Sequence, residues 1–150
     1  MQTRTSSTKR IPRLADSDGL TLIEVLVCMI IVGIIAAIAL PSFLDQRRKA
    51  QDTEAKVTVA TATSALLTHL TEKDTFDATT DDLEAIEPAL RDARNLDVQG
   101  TTDSYELSVD SANGTRFTLK RDAANRLTRE CSAPSSGLCR LNPDAAGNRW

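Results

Sequence analysis

The chain has 150 residues, is 41% hydrophobic but only 3% aromatic, and carries a formal net charge of −3. That length suits one modest domain plus a membrane segment, and so few aromatics leave little to anchor a large core. No basic patch suggests direct nucleic-acid binding. No nucleophile–base pair, metal cluster or phosphate-binding loop appears, so neither catalysis, a metal nor a cofactor is expected.

Residues 1–19 are polar, with Arg4, Lys9, Arg10 and Arg13 and no apolar run of their own. A secretory signal places its hydrophobic run before the cleavage site; here the run follows Gly19. Without residues 1–19 the formal charge becomes −5. From Leu20 to Leu40 the sequence is apolar except for Thr21 and Glu24. As a helix this stretch rises about 31 Å, close to the hydrocarbon thickness of a bilayer. Glu24 is costly inside such a segment. It either snorkels towards the headgroups, about a turn from the membrane face, or awaits a partner. Cys28 is expected to act as a small buried hydrophobe. Gly33 weakens the helix, and Pro41 removes a backbone donor and crowds the preceding turn, so a kink or break is expected there.

Past Pro41 the sequence turns charged but stays free of Gly and Pro. Ala55, Val59, Ala62, Leu66 and Leu70 recur at helical spacing, while Thr61, Ser64, Thr68 and Glu72 fall on a polar line. The spacing predicts one helix from residue 20 to about 71, roughly 50 residues and 75–80 Å long. Its first half is apolar all round and needs lipid or neighbouring subunits. Its second half needs only a small sheet on one side. His69 lies near the apolar edge and is expected to be structural.

Residues 72–100 form a connecting region rich in acids. Leu83, Ile86 and Leu90 predict a short helix capped by Thr80 or Asp81, with Pro88 kinking it or beginning a second turn. Asp81, Asp82 and Glu84 suit the dipole at that helix start and lack an EF-hand pattern for calcium.

In residues 101–150, Tyr105, Leu107 and Val109 alternate on one face, and Phe117 and Leu119 follow after Asn113-Gly114, a strong hairpin signal. Asp122-Ala-Ala-Asn125 turns the chain again into 126–131. The expected fold is α+β, a long N-terminal helix packed on a three-stranded antiparallel sheet. Asn113-Gly-Thr115 also matches a glycosylation sequon, though the hairpin already explains it. Cys131 and Cys139 bracket a flexible loop that can close into a disulfide, contributing about 2–3 kcal/mol in the entropy model. Their spacing is neither a CxxC redox pair nor a zinc array. A structural disulfide implies an extracytoplasmic location, which puts residues 1–19 in the cytoplasm and the C-terminal domain outside. Basic residues alone do not decide this, since Arg47, Arg48 and Lys49 flank the other end of the apolar run. The tail after Cys139 is expected over the sheet edge.

Gly19-Leu20-Thr21-Leu22-Ile23-Glu24, followed by an apolar helix and Pro41, resembles the processing and assembly segment of type IV pilins and related pseudopilins. The resemblance covers about the first third of the chain. It implies that a membrane-embedded prepilin peptidase cuts after Gly19 and methylates the amine of Leu20, a position that is usually Phe in the family. It implies that Glu24 pairs with the α-amine of Leu20 on a neighbouring subunit, and that Gly33–Pro41 loses helicity when subunits pack. The Cys131–Cys139 loop resembles the C-terminal disulfide loop of many pilins. The partners implied are identical and related pilin subunits, the peptidase, the pilus assembly machinery and, before assembly, the membrane. The implied function is a structural subunit of a type IV pilus supporting adhesion, motility or DNA uptake. Two alternatives stand beside it: a pseudopilin of a type II secretion system, and an uncleaved, signal-anchored extracytoplasmic binding domain.

Overall fold

A computed structural model describes residues 19–132 and 138–150. The proposed leader, up to residue 18, and the middle of the cysteine loop lie outside the described residues. Helix α1 spans Leu22–Lys73 and is followed by α2 at Thr80–Ile86 and a 3₁₀ turn at Pro88–Asp92. Strands β1 (Asp97–Gly100), β2 (Tyr105–Asp110), β3 (Arg116–Arg121) and β4 (Leu127–Cys131) then form an antiparallel meander in the order β1-β2-β3-β4.

The sheet therefore has four strands rather than the three expected. The extra strand, Asp97-Val-Gln-Gly100, falls in the acid-rich stretch read as a connection. Only Val98 in it is a typical strand former, so propensity gave no warning. Pairing with β2 makes it a strand, with Val98 opposite Leu107 and Gly100 opposite Tyr105. Gly100 is required there: a Cβ would overlap the backbone carbonyl of Phe76, whose own N–H donates to Thr101 O at 3.1 Å. The hairpins are where the turn residues put them. Gly114 at φ +89° and Asn125 at φ +61° supply the left-handed positions that the two turns demand.

The chain divides into two compact units between Ile38 and Ala39. In the first, Leu20, Ile23, Ile30, Ile34 and their neighbours are exposed, and the helix there is long and apolar enough to cross a membrane. In the second, Ala55, Val59, Ala62, Ala65 and Leu66 of α1 join Phe76, Leu83, Leu90, Leu107, Val109, Phe117 and Leu119 in one core. Phe117 and Leu66 are completely buried, each contributing roughly 1.5–3 kcal/mol of apolar transfer.

The cap of helix α2 is Thr79, one residue before Thr80 and two before Asp81, the two caps expected. Thr79 Oγ1 accepts from Asp82 N–H at 3.3 Å, and Asp82 Oδ2 accepts from Thr79 N–H at 2.9 Å. This reciprocal capping box occupies the Asp82 carboxylate, and the Thr79 hydroxyl holds its pKa below the ordinary 3.8. Pro88 opens the 3₁₀ turn, where its missing N–H costs nothing.

Candidate functional site

The residues expected to drive processing and assembly lie at the start of α1. Thr21 closes the first turn: its carbonyl accepts from Glu24 N–H at 3.1 Å and Val25 N–H at 3.2 Å, and its hydroxyl accepts from Glu24 N–H at 3.3 Å. That leaves the Glu24 side chain outside the cap, and among the described residues its carboxylate has no hydrogen-bond or ion-pair partner. Leu20, Glu24, Val25, Cys28, Met29 and Val32 line one shallow apolar groove along the helix, and the single acid sits in it. Cys28, expected to act as a small buried hydrophobe, is exposed in the isolated chain. Helical spacing brings Leu20 and Glu24 onto that common face; Gly33 and Pro41 do not join it.

Gly19 and Gly33 are not required by the fold of the described residues, since a Cβ at either would meet nothing within 4 Å and neither has positive φ. Pro41 lies inside α1 rather than ending it. A proline there forfeits one backbone hydrogen bond, and the neighbouring turns keep the helical geometry.

Cys131 and Cys139 are bonded, with Cα atoms 5.9 Å apart, at the end of β4. The tail after Cys139 covers the outer edge of that strand: Arg149 N–H donates to Arg129 O at 2.8 Å, and Trp150 Nε1 donates to Glu130 O at 2.8 Å. The Trp150 ring stands edge-on to Phe117, with centroids 5.7 Å apart.

A second polar centre escaped sequence reasoning. Asp52 is completely buried on the apolar stripe of α1, one turn before Ala55. Its Oδ1 accepts from Asn113 Nδ2 at 2.6 Å, and its Oδ2 accepts from Leu138 N–H at 2.9 Å. Asn113 also donates to Arg48 O at 3.4 Å and accepts from Thr115 N–H at 2.9 Å. Lys56, one turn along, donates to Leu138 O at 3.1 Å. Desolvation pushes the Lys56 pKa down, opposed by the negative charge of Asp52. The only signal in the sequence was a carboxylate on an otherwise apolar helical line, because its partners lie 61 and 86 residues away.

No group of three or more His, Cys, Asp or Glu among the described residues could hold a metal ion. What the first centre can do is bind a cation within an apolar surface, and what the second can do is fasten chain segments together.

The family model for the prokaryotic N-terminal methylation motif matches residues 15–40. The type IV major pilin protein PilA of Myxococcus xanthus is 36% identical over 58 residues, which cover 39% of this chain and 26% of that protein. The match thus spans about a quarter of the relative's length. No solved structure matches significantly.

Proposed function

We propose, from the match of residues 15–40 to the prokaryotic N-terminal methylation motif and the partial likeness to a type IV major pilin, that the chain is a structural subunit of a type IV pilus filament. The peptidase cuts after Gly19 and methylates Leu20; the freed subunit then polymerises through residues 20–40. The observation that carries this reading is the Glu24 carboxylate, alone on an exposed apolar helix and one turn from Leu20. Cleavage creates the α-amine that a neighbouring subunit presents to it. Pairing in an apolar interior selects register, because a misplaced subunit leaves a buried charge unpaired. Glycine at position 19, which the described fold does not need, fits a peptidase that reads the chain instead.

Before assembly the subunit spans the membrane once, with residues 1–19 in the cytoplasm and the disulfide-bonded domain outside. After assembly it is part of an extracellular fibre. Helix melting between Gly33 and Pro41 belongs to that second state. Adhesion, motility and DNA uptake are properties of the fibre. The type IV pilin family is structural rather than enzymatic. A pilus is favoured over a secretion pseudopilus by the Cys131–Cys139 loop and by a relative named as a major pilin.

Mass spectrometry of the membrane-extracted and surface-sheared protein tests this. The expected chain begins at Leu20 with a methylated amine and is the main polypeptide of purified filaments. A mature chain beginning at Met1 overturns the proposal and leaves a signal-anchored domain. A chain beginning at Leu20 but absent from surface fibres, and needed for protein export, makes it a pseudopilin.

A further inference from the structure

Both peptide groups of Leu138 are held by one face of α1: Asp52 takes its N–H at 2.9 Å and Lys56 donates to its carbonyl at 3.1 Å. Leu138 is the chain neighbour of Cys139, which is bonded to Cys131 on β4. Beyond Cys139 the chain turns on Asp144, which accepts from Ala146 N–H and Asn148 N–H at 2.9 and 2.8 Å. It then returns along β4, where Asn148 Oδ1 accepts from Arg129 N–H at 3.0 Å and Arg149 N–H donates to Arg129 O at 2.8 Å. Arg140 N–H donates to Arg149 O at 2.9 Å, tying the two ends of this segment together. The Lys56 ammonium lies 5.2 Å from the Phe117 centroid and 5.5 Å from the Trp150 centroid, so it touches the strap at its beginning and its end. Residues 138–150 thereby cover the outer edge of the sheet, the kind of edge that otherwise recruits foreign strands.

We propose that Asp52 and Lys56 form a latch thermodynamically coupled to the Cys131–Cys139 disulfide. Seating Leu138 holds Cys139 beside β4 and makes the bond harder to reduce; the bond in turn keeps Leu138 on the buried carboxylate and the strap on β4. Such coupling is reciprocal. Reduction breaks the S–S bond, takes two electrons and two protons from a dithiol that closes to its own disulfide, and leaves two thiols. Leu138 then leaves Asp52, which loses one of its two neutral donors, and the strap leaves the β4 edge. Asp52 is a positioning residue in this device, acting on the sulfur atoms through Leu138. The coupling holds whether or not the chain polymerises.

The test equilibrates the full chain in detergent micelles against mixtures of reduced and oxidised dithiothreitol. Thiols are counted by alkylation and mass, with Cys28 as a constant background. Trp150, the one tryptophan, reports the strap by fluorescence. Asp52→Ala is expected to raise the equilibrium constant for reduction about tenfold or more, as loss of a hydrogen bond to a charged group implies. In the unmutated protein, reduction is expected to shift Trp150 emission to the red. Amide exchange at Arg129 and Arg149 rises with it, while Leu107 and Leu119 stay protected. An unchanged reduction constant in a folded Asp52→Ala protein overturns the proposal, because a merely structural Asp52 destabilises both redox forms equally. Opening of Leu107 and Leu119 together with the strap also overturns it. Should Asp52→Ala fail to fold, Lys56→Met carries the same readout: a smaller rise in the constant supports the latch and no rise refutes it.

Discussion

Glu24 and Asp52 are carboxylates on the same helix, α1, and each interrupts an apolar line. Glu24 is surrounded by exposed Leu, Ile and Val side chains and has no partner among the described residues. Asp52 sits where the sequence has become polar, yet it is completely buried and its two oxygens take N–H groups from Asn113 and Leu138. A charge satisfied within its own chain stabilises a fold. A charge left open on an apolar surface specifies something outside the chain, because its desolvation is compensated only when a partner arrives. The same chemistry thus serves folding at one position and, in the proposed function, assembly at the other.

Substitutions can break this contrast. Glu24→Ala carries the largest expected effect: cleavage after Gly19 proceeds, but filament yield falls by an order of magnitude or more, since breaking a buried ion pair costs about 3–5 kcal/mol. Sheared-filament yield beside a mass-verified mature subunit reads this out, and normal filaments from the mutant would remove the assembly role of Glu24. Asp52→Ala has the opposite profile. It leaves processing untouched and lowers the unfolding free energy of the C-terminal unit by about 3 kcal/mol, measured in urea by Trp150 fluorescence. A loss below about 1 kcal/mol would mean that the buried carboxylate is dispensable.

Thr79→Ala sharpens the comparison on the mild side. It removes an exposed cap and is expected to cost about 1 kcal/mol with assembly unchanged. Acid gives the smallest effect. Asp110 is held below 3.8 by the Arg116 guanidinium, and Asp82 by Thr79. Because these folded-state values are depressed, the stability they supply is complete above about pH 4 and is lost as pH falls through the folded values. Urea midpoints should therefore be flat in these two residues between pH 5 and 8 and decline only below about pH 4. A decline in the midpoint between pH 5 and 7 that Asp110→Asn abolishes would contradict that assignment.

What could be read in advance was whatever is written along the chain. The segment from Gly19 to Pro41 is a one-dimensional pattern of spacing and polarity. So are the stripe from Ala55 to Leu66, the Asn113-Gly114 hairpin and the cysteine pair, and the structure contains each. What escaped depends on contacts between distant residues. Strand β1 exists because β2 offers it a ladder and Gly100 fits against Phe76. The Asp52 latch exists because a hairpin and a cysteine loop both return to one turn of α1. The cap of α2 was missed by one residue, since neighbouring Thr79, Thr80 and Asp81 all have capping side chains and only Thr79 stands three residues before Asp82.

Asn113 carries one more consequence, for anyone producing this protein in a eukaryotic secretory host. Both N–H groups of its side-chain amide are engaged, one with the Asp52 carboxylate and the other with the Arg48 carbonyl. Transfer of a sugar to that nitrogen replaces a hydrogen and places a bulky, hydrated group where Asp52 is fully enclosed. A glycan added to the nascent chain would keep the hairpin from seating on α1, and glycosylated product should be the misfolded fraction.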